Sequence, residues 1–264
     1  MEFLFGFIGC GNMGSALCRA VSKKYNKEDI AVFDRHPEKL DALKDVATIS
    51  NSANEVALKS KFLFIGVKPQ GYENTFNAIK EDLKNNKDVI IVSMAAGVSI
   101  SGVEKYADGN FPVIRIMPNT PASVGEGIIL YAPNGVTQES EEEFRKYFSS
   151  AGLVVKIDEE KMDKHTAITG CGPAFVYMFI DAMKKSAVSI GIDEADAEKF
   201  CAQTVLGSAK MVLAYGNADQ LKINVCSPGG STIEGVKSLE KDDLYSVVDR
   251  AVQASKKRTE EMKK

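Results

Sequence analysis

Histidine is scarce in this sequence, with only His36 and His165 among 264 residues, and neither has a Cys, Asp or Glu partner at metal-ligand spacing. A Ser–His–Asp hydrolase therefore has few places for its base, and metal-free chemistry is expected. Cysteine offers no framework either. Cys10, Cys18, Cys171, Cys201 and Cys226 are five in number and lack CxxC spacing, which argues against disulfides and zinc and fits a reducing cytoplasm. An excess of charge of one sign is missing too. With 33 basic and 36 acidic residues the net charge is −3, so neither nucleic acid nor an anionic membrane is an expected partner. The longest strongly apolar stretch, Phe175 to Ile180, falls short of the ~18 residues of a membrane span. The opening MEFLFGFIG has no basic n-region, so a signal peptide is not expected. Internal repeats and low-complexity linkers are absent as well.

What is there reads as two domains. The hydrophobic share of 44% and the charged share of 26% are those of a globular protein, and the length suits two domains better than one. Up to about residue 160, short apolar runs alternate with helix-like segments, the pattern of a doubly wound α/β sheet. Strands are expected at Phe3–Ile8, Ile30–Phe33, Phe62–Val67, Val89–Val92, Val113–Met117, Gly127–Tyr131 and Leu153–Ile157. Helices are expected at Glu38–Leu43, Tyr72–Leu83 and Glu139–Phe148. Residues 161–264 read as all-helical. Pro173–Ile190 is apolar on more than one face, and a helix capped by Asp193 runs on to Tyr215. A further amphipathic helix is expected from Leu244 to Met262. Two helices this apolar need more cover than about 100 residues supply, so a second subunit is expected to bury part of them.

The first run, ending at Ile8, leads into Gly9-Cys10-Gly11-Asn12-Met13-Gly14, a GxGxxG followed by a helix pattern. In that context the glycines permit a tight turn, close approach of a pyrophosphate and close helix packing, and the helix N-terminus supplies free amides. Asp34 follows Gly14 by 20 positions, where a carboxylate holds the ribose 2′-hydroxyl of NAD. Arg35 beside it suits the 2′-phosphate of NADP instead, so the pair leaves that choice open. Val67-Lys68-Pro69-Gln70 and Ser93-Met94-Ala95-Ala96-Gly97 follow later strands, where nicotinamide contacts belong. Between two prolines, Asn119-Thr120 forms a rigid polar turn suited to holding a ligand.

Near the other end, Cys226-Ser227-Pro228-Gly229-Gly230-Ser231-Thr232 opens onto a short helix pattern. Unpaired amides there suit a carboxylate, though the same residues also read as an ordinary Gly-rich cap. Thr169-Gly170-Cys171-Gly172-Pro173 interrupts an otherwise helical stretch.

Taken in order, FIGCGNMG, VKPQ, SMAAGVSI, IRIMPNTPASVGEG, TGCGPAFVY and LKINVCSPGGSTIEGVKSLE resemble the pyrroline-5-carboxylate reductase family over nearly the full length. The last segment is the specific one; the first is shared with many dehydrogenases. The resemblance implies a Rossmann-type domain followed by an all-helical dimerisation and substrate domain. It also implies a homodimer at least, often built further into decamers, and reduction of the C=N bond of 1-pyrroline-5-carboxylate to L-proline with NADPH or NADH. By the same resemblance Ile8, Gly9, Gly11, Asn12, Met13 and Gly14 flank the pyrophosphate. Val67, Lys68, Pro69, Ala95, Ala96 and Asn224 then flank ribose and nicotinamide. Ser227, Gly230, Ser231 and Thr232 take the substrate carboxylate, with the Thr232 hydroxyl acting at the ring nitrogen. Cys171 and Phe175 stand where the family usually has Ser and Tyr, so a hydroxyl is lost at each. A family asparagine near Ala53 and Asn54, and an acidic residue near Tyr215, have no clear counterpart. Two other readings compete: a related two-domain reductase using a lysine such as Lys164, and a dinucleotide sensor with no use for the second loop.

Overall fold

The apolar run Phe3–Ile8 forms β1, near the middle of an eight-stranded sheet in a computed structural model that describes residues 2–261. The remaining strands are β2 (Ile30–Phe33), β3 (Thr48–Ile49), β4 (Ser60–Ile65), β5 (Ile90–Ser93), β6 (Val113–Pro118), β7 (Gly127–Asn134) and β8 (Gly152–Lys156). Their order is β3-β2-β1-β4-β5-β6-β7-β8. Helices α1 (Asn12–Ser22), α2 (Ala53–Lys59), α3 (Tyr72–Asn85), α4 (Ile100–Ala107), α5 (Gln138–Phe148) and α6 (Met162–Thr169) connect or follow them. Three start where the sequence places a side-chain cap. Ser52, Ser99 and Thr137 accept from the amides of Glu55, Gly102 and Ser140.

Both faces of this sheet are covered, which is why its strands are continuous apolar runs rather than alternating ones. Along β4, Phe62 and Phe64 point to one side, where Leu17 of α1 and Phe144 and Phe148 of α5 pack. Leu63 and Ile65 point to the other, against Phe76 and Ile79 of α3 and Val103 of α4. Phe7 and Phe64 stack across β1 and β4 with ring centroids 4.6 Å apart.

Three features differ from the sequence reading. The sheet is not parallel throughout, because β7 runs antiparallel to β6. A parallel return needs a crossover of a dozen or more residues, whereas β6 ends at Pro118 and β7 starts at Gly127. β8 then pairs parallel to β7 by way of α5. The helix expected at Glu38–Leu43 is two 3-10 turns, Pro37–Lys39 and Asp41–Leu43, and Thr48–Ile49 adds a strand too short to be read from its residues.

Packing divides the chain after Gly170, with Cys171–Ser255 as one compact unit and the other described residues, including Lys256–Glu261, as the other. The helical unit holds α7 (Gly172–Ser189), α8 (Glu194–Tyr215), α9 (Ala218–Asn224), α10 (Ser231–Lys241) and most of α11 (Leu244–Glu261). Asp193 caps α8 through the amide of Ala195, and Lys184 pairs with Glu194 and Glu198. No residue of α7 is buried, and only Ala197 and Cys201 are buried on α8. Met178 (73% exposed) and Leu213 (83%) are extremes of a broad apolar surface. Unlike the sequence expectation, the helical run Glu159–Ser189 contains an 18-residue stretch of mean hydropathy 1.2, enough by length and composition alone to cross a membrane. An average tolerates scattered polar residues that end an unbroken apolar stretch.

Candidate active site

Ligands of such sheets sit beyond the carboxyl ends of the strands, where the order reverses, here between β1 and its neighbours β2 and β4. Gly9 leaves β1 there with φ +95°, a left-handed conformation that suits glycine. Its amide donates to the carbonyl of Phe33 on β2, and the carbonyl of Ile8 accepts from Gly66 after β4. A Cβ on Gly14 or on Gly66 would lie 2.3 Å from the carbonyl oxygen of Gly9, so both glycines are forced by packing. Gly11 differs: a Cβ there would meet no atom within 4 Å. Gly11 caps α1 without a side-chain hydrogen bond, and the first turn has no acidic residue. Asn12 is exposed and Met13 half-buried on that turn. Free amides, the positive helix end and open space at Gly11 fit a dinucleotide pyrophosphate. The Cys10 thiol is not a nucleophile here, since burial raises its pKa and keeps it neutral.

Two further loops leave the same rim. Val67 and Pro69 are half-buried after β4, and exposed Lys68 has no side-chain partner among the described residues. Ala95 is buried and Ala96 half-buried after β5. Tyr72, fully buried at the start of α3, joins the strands that carry these loops. Its hydroxyl donates to the carbonyl of Ile65, the last residue of β4, and bonds Ser93 Oγ, the last residue of β5, at 3.0 Å. Tyr72 and Gly66 are missed by sequence reasoning. Gly66 directly after a strand was an available signal, whereas Tyr72 looks like any helix start.

At the end of β2 the two competing residues behave differently. Asp34 is 8% exposed, and its Oδ2 accepts from the amide of Cys10 at 2.8 Å while Oδ1 accepts from the amide of His36 at 2.9 Å. Arg35 is exposed and has no hydrogen bond or ion pair among the described residues.

Farther along the rim, Asn119 is buried and uses its side chain twice. Its Nδ2 donates to the carbonyl of Thr169 and its Oδ1 accepts from the amide of Ile128. The sequence suggests a ligand-holding turn; the side chain serves to tie β7 and the end of α6 to β6. Beneath it, the Arg115 guanidinium on β6 pairs with Glu159 at 3.1 Å and with Asp163 of α6 at 2.9 Å. Lys164 lies exposed on α6, not at the start of α7.

The helical unit carries the second loop. Asn224 ends α9 and accepts from Gln220 at 2.9 Å. A turn closed by the Gly230 amide on the Ser227 carbonyl, with Gly229 at φ +71°, leads into α10. Gly230 caps that helix without a side-chain bond, and Ser231 and Thr232 are exposed with no side-chain hydrogen bond among the described residues. Glu234 in the first turn is held by Lys237. Free amides beside two hydroxyls can take a carboxylate and offer a proton. Cys171 and Phe175 are half-buried in the unit, next to and within α7. The structure thus gathers the N-terminal candidates on one rim of the sheet, and Asn224, Ser227 and Gly230–Thr232 in the helical unit.

Comparison with known proteins covers both parts. The family model for pyrroline-5-carboxylate reductase dimerisation matches residues 159–262, and the one for NADP oxidoreductase, coenzyme F420-dependent, matches residues 4–97. The pyrroline-5-carboxylate reductase of Escherichia coli is 39% identical, with 100% of each chain covered. The enzyme of that name from Aquifex aeolicus is 35% identical over 96% of each chain. A crystal structure of Plasmodium falciparum pyrroline carboxylate reductase with NADP bound superposes with a TM-score of 0.89 at 32% identity, over 100% of each chain. With relatives this similar along its whole length, the chain belongs to the pyrroline-5-carboxylate reductase family.

Proposed function

We propose that this chain reduces the C=N bond of 1-pyrroline-5-carboxylate to give L-proline, using NADPH or NADH. The observation that carries the reading is full-length similarity that includes both the glycine loop after β1 and the SPGGST loop before α10. The reduced nicotinamide supplies a hydride to the imine carbon. The protein's part is to align the reactants and supply the proton and the charge complement. Gly9, Gly11, Asn12, Met13 and Gly14 take the pyrophosphate, with Ile8 beneath them. Val67, Lys68, Pro69, Ala95, Ala96 and Asn224 line ribose and nicotinamide. Amides and hydroxyls of Ser227, Gly230 and Ser231 hold the substrate carboxylate, and Thr232 orients or protonates the ring nitrogen. No strong base is needed because a cyclic imine can be protonated before the hydride arrives, in keeping with a chain that has two histidines.

The working unit in this reading is a homodimer whose partner covers the apolar faces of α7 and α8, with decamers as the higher assembly that the family resemblance implies. The match of residues 159–262 to a dimerisation family supports a second copy rather than a bilayer as that cover. So does α6, whose Asp163 is bound to Arg115 in the sheet unit at the head of the apolar run. A near-neutral charge balance supports the absence of a nucleic-acid partner, and five unpaired cysteines support a cytoplasmic location.

The test is oxidation of NADPH or NADH, followed by absorbance, with pyrroline-5-carboxylate as substrate. Turnover to proline is expected. Dinucleotide binding without turnover would favour a sensor, and reduction of NADP+ or NAD+ by a β-hydroxy acid, or turnover only of a larger imine, would favour the lysine-dependent class.

A further inference from the structure

Resting on the dinucleotide site just proposed, the geometry at the end of β2 points to a division of labour that the sequence leaves open. We infer that Asp34 is a positioning residue for the glycine loop, and that Arg35 reads the cofactor's 2′-phosphate, so the chain selects NADPH over NADH. A carboxylate that selects NAD must offer an open edge to the ribose hydroxyls. Asp34 offers little of one: each oxygen already accepts a backbone amide, Cys10 on one side and His36 on the other, and the lone pair left on each lies in a side chain almost closed to solvent. Its side chain is 7% exposed, and the Lys39 ammonium stands 3.6 Å from Oδ1. The two amides belong to the glycine loop and to the turn after β2, so the carboxylate pins one to the other.

With Asp34 turned inward, the groups left exposed at this corner are mostly cationic. Arg35 has no partner among the described residues, and Lys39 is 43% exposed at its side chain. The anion nearby is Glu38, 70% exposed and facing His36 at 3.6 Å. A guanidinium without an internal partner is a forked donor suited to a phosphate monoester, and its plane can cover an adenine. A free ribose hydroxyl gives it little to bind. The remaining charge of Asp34 is offset by its two amides and by Lys39, so a 2′-phosphate does not meet a bare carboxylate.

The test measures binding, by quenching of intrinsic fluorescence and by calorimetry, with NADPH, NADH, 2′-AMP and 5′-AMP as probes. Wild type is expected to bind NADPH and 2′-AMP more tightly than NADH and 5′-AMP, with the NADPH advantage shrinking as salt rises. Arg35→Ala should weaken NADPH and 2′-AMP about tenfold to a hundredfold and leave NADH within about twofold, since charged hydrogen bonds carry that range. Asp34→Asn, which keeps one acceptor and sets an NH2 against the other amide, should weaken both dinucleotides together and lower the melting temperature. Asp34→Asn that weakens NADH alone while NADPH binding improves would show a ribose clamp and overturn the inference. Equal binding of NADH and NADPH by wild type would overturn it as well. Failure to bind any dinucleotide would instead remove the reading on which it rests.

Discussion

Arg115 and Asp163, 48 positions apart, meet at 2.9 Å in a pair almost closed to water. The other arm of the guanidinium reaches Glu159, whose same oxygen accepts the amide of Ile100 at the head of α4. One buried cation thus joins β6, α4 and α6. Removing it takes the guanidinium away from the buried Asp163 carboxylate, so Arg115→Ala is expected to cost about 3–5 kcal/mol in denaturant unfolding. Arg115→Lys keeps the charge but loses the fork and should fall between. A loss under about 1 kcal/mol for Arg115→Ala would mean that the pair is not what holds α6.

Two glycines of one loop should fail in different ways. Gly14→Ala drives a Cβ against the Gly9 carbonyl and should cost about 1–3 kcal/mol of stability. Gly11→Ala meets no protein atom, and its φ of −71° suits alanine, so its melting temperature should stay near wild type. Its dinucleotide affinity should nonetheless fall about tenfold or more, because the methyl occupies the approach of the pyrophosphate. Calorimetry and thermal melts on both variants separate the two effects.

Burial lifts the Tyr72 phenol from its ordinary pKa of 10 up to about 12. The native state therefore holds this proton at pH values where the unfolded chain has released it. Tyr72 contributes fully below pH 10, and that stability drains away as pH rises from 10 towards 12. The amount is on the order of 2 kcal/mol. Unfolding curves at pH 8 to 11 should show Tyr72→Phe less steeply alkali-sensitive than wild type, offset at neutral pH by the lost bonds to Ile65 and Ser93.

Thr232→Ala should lower kcat by about 10²–10³ with a smaller change in KM if the hydroxyl acts mainly in the transition state. Thr232→Ser should recover most of the rate. Unchanged kinetics for Thr232→Ala would remove this residue from the proposed chemistry.

Placing a charge on the exposed apolar face should block self-association. Leu213→Glu, at a side chain 83% exposed in the single chain, is expected to shift sedimentation from dimer or larger to monomer. An unchanged assembly would place the subunit contact elsewhere.

Much of the fold is legible because its cause is local. Continuous apolar runs such as Phe3–Ile8 and Ile30–Phe33 are strands with the expected ends, and Asp193 caps α8. The reversal of β7 is not, since it follows from the shortness of a connection rather than from any residue in the strand. Arg115 looks like a stray charge in an apolar strand, and its reason lies at Glu159 and Asp163, far along the chain. The glycine loop is legible for the same reason that GxGxxG is a motif at all: each glycine answers a backbone constraint. Asp34 shows the limit. Its position is readable, but its direction depends on two amides, 24 and 2 positions away, that only a folded backbone aims at it.

The reversal at β7 also sets where the sheet unit lets go of the chain. Strands β1, β4, β5 and β6 all deliver their carboxyl ends to the rim that carries the glycine loop. Because β7 runs back and β8 follows it, β8 ends on the opposite rim. α6 makes the return climb of about 12 Å at 1.5 Å per residue. It arrives with Thr169 held by Asn119 just past the end of β6. A simple count of reversals thus explains why this short helix exists: it restores the parity that β7 broke, so the chain departs from the glycine-loop side of its sheet.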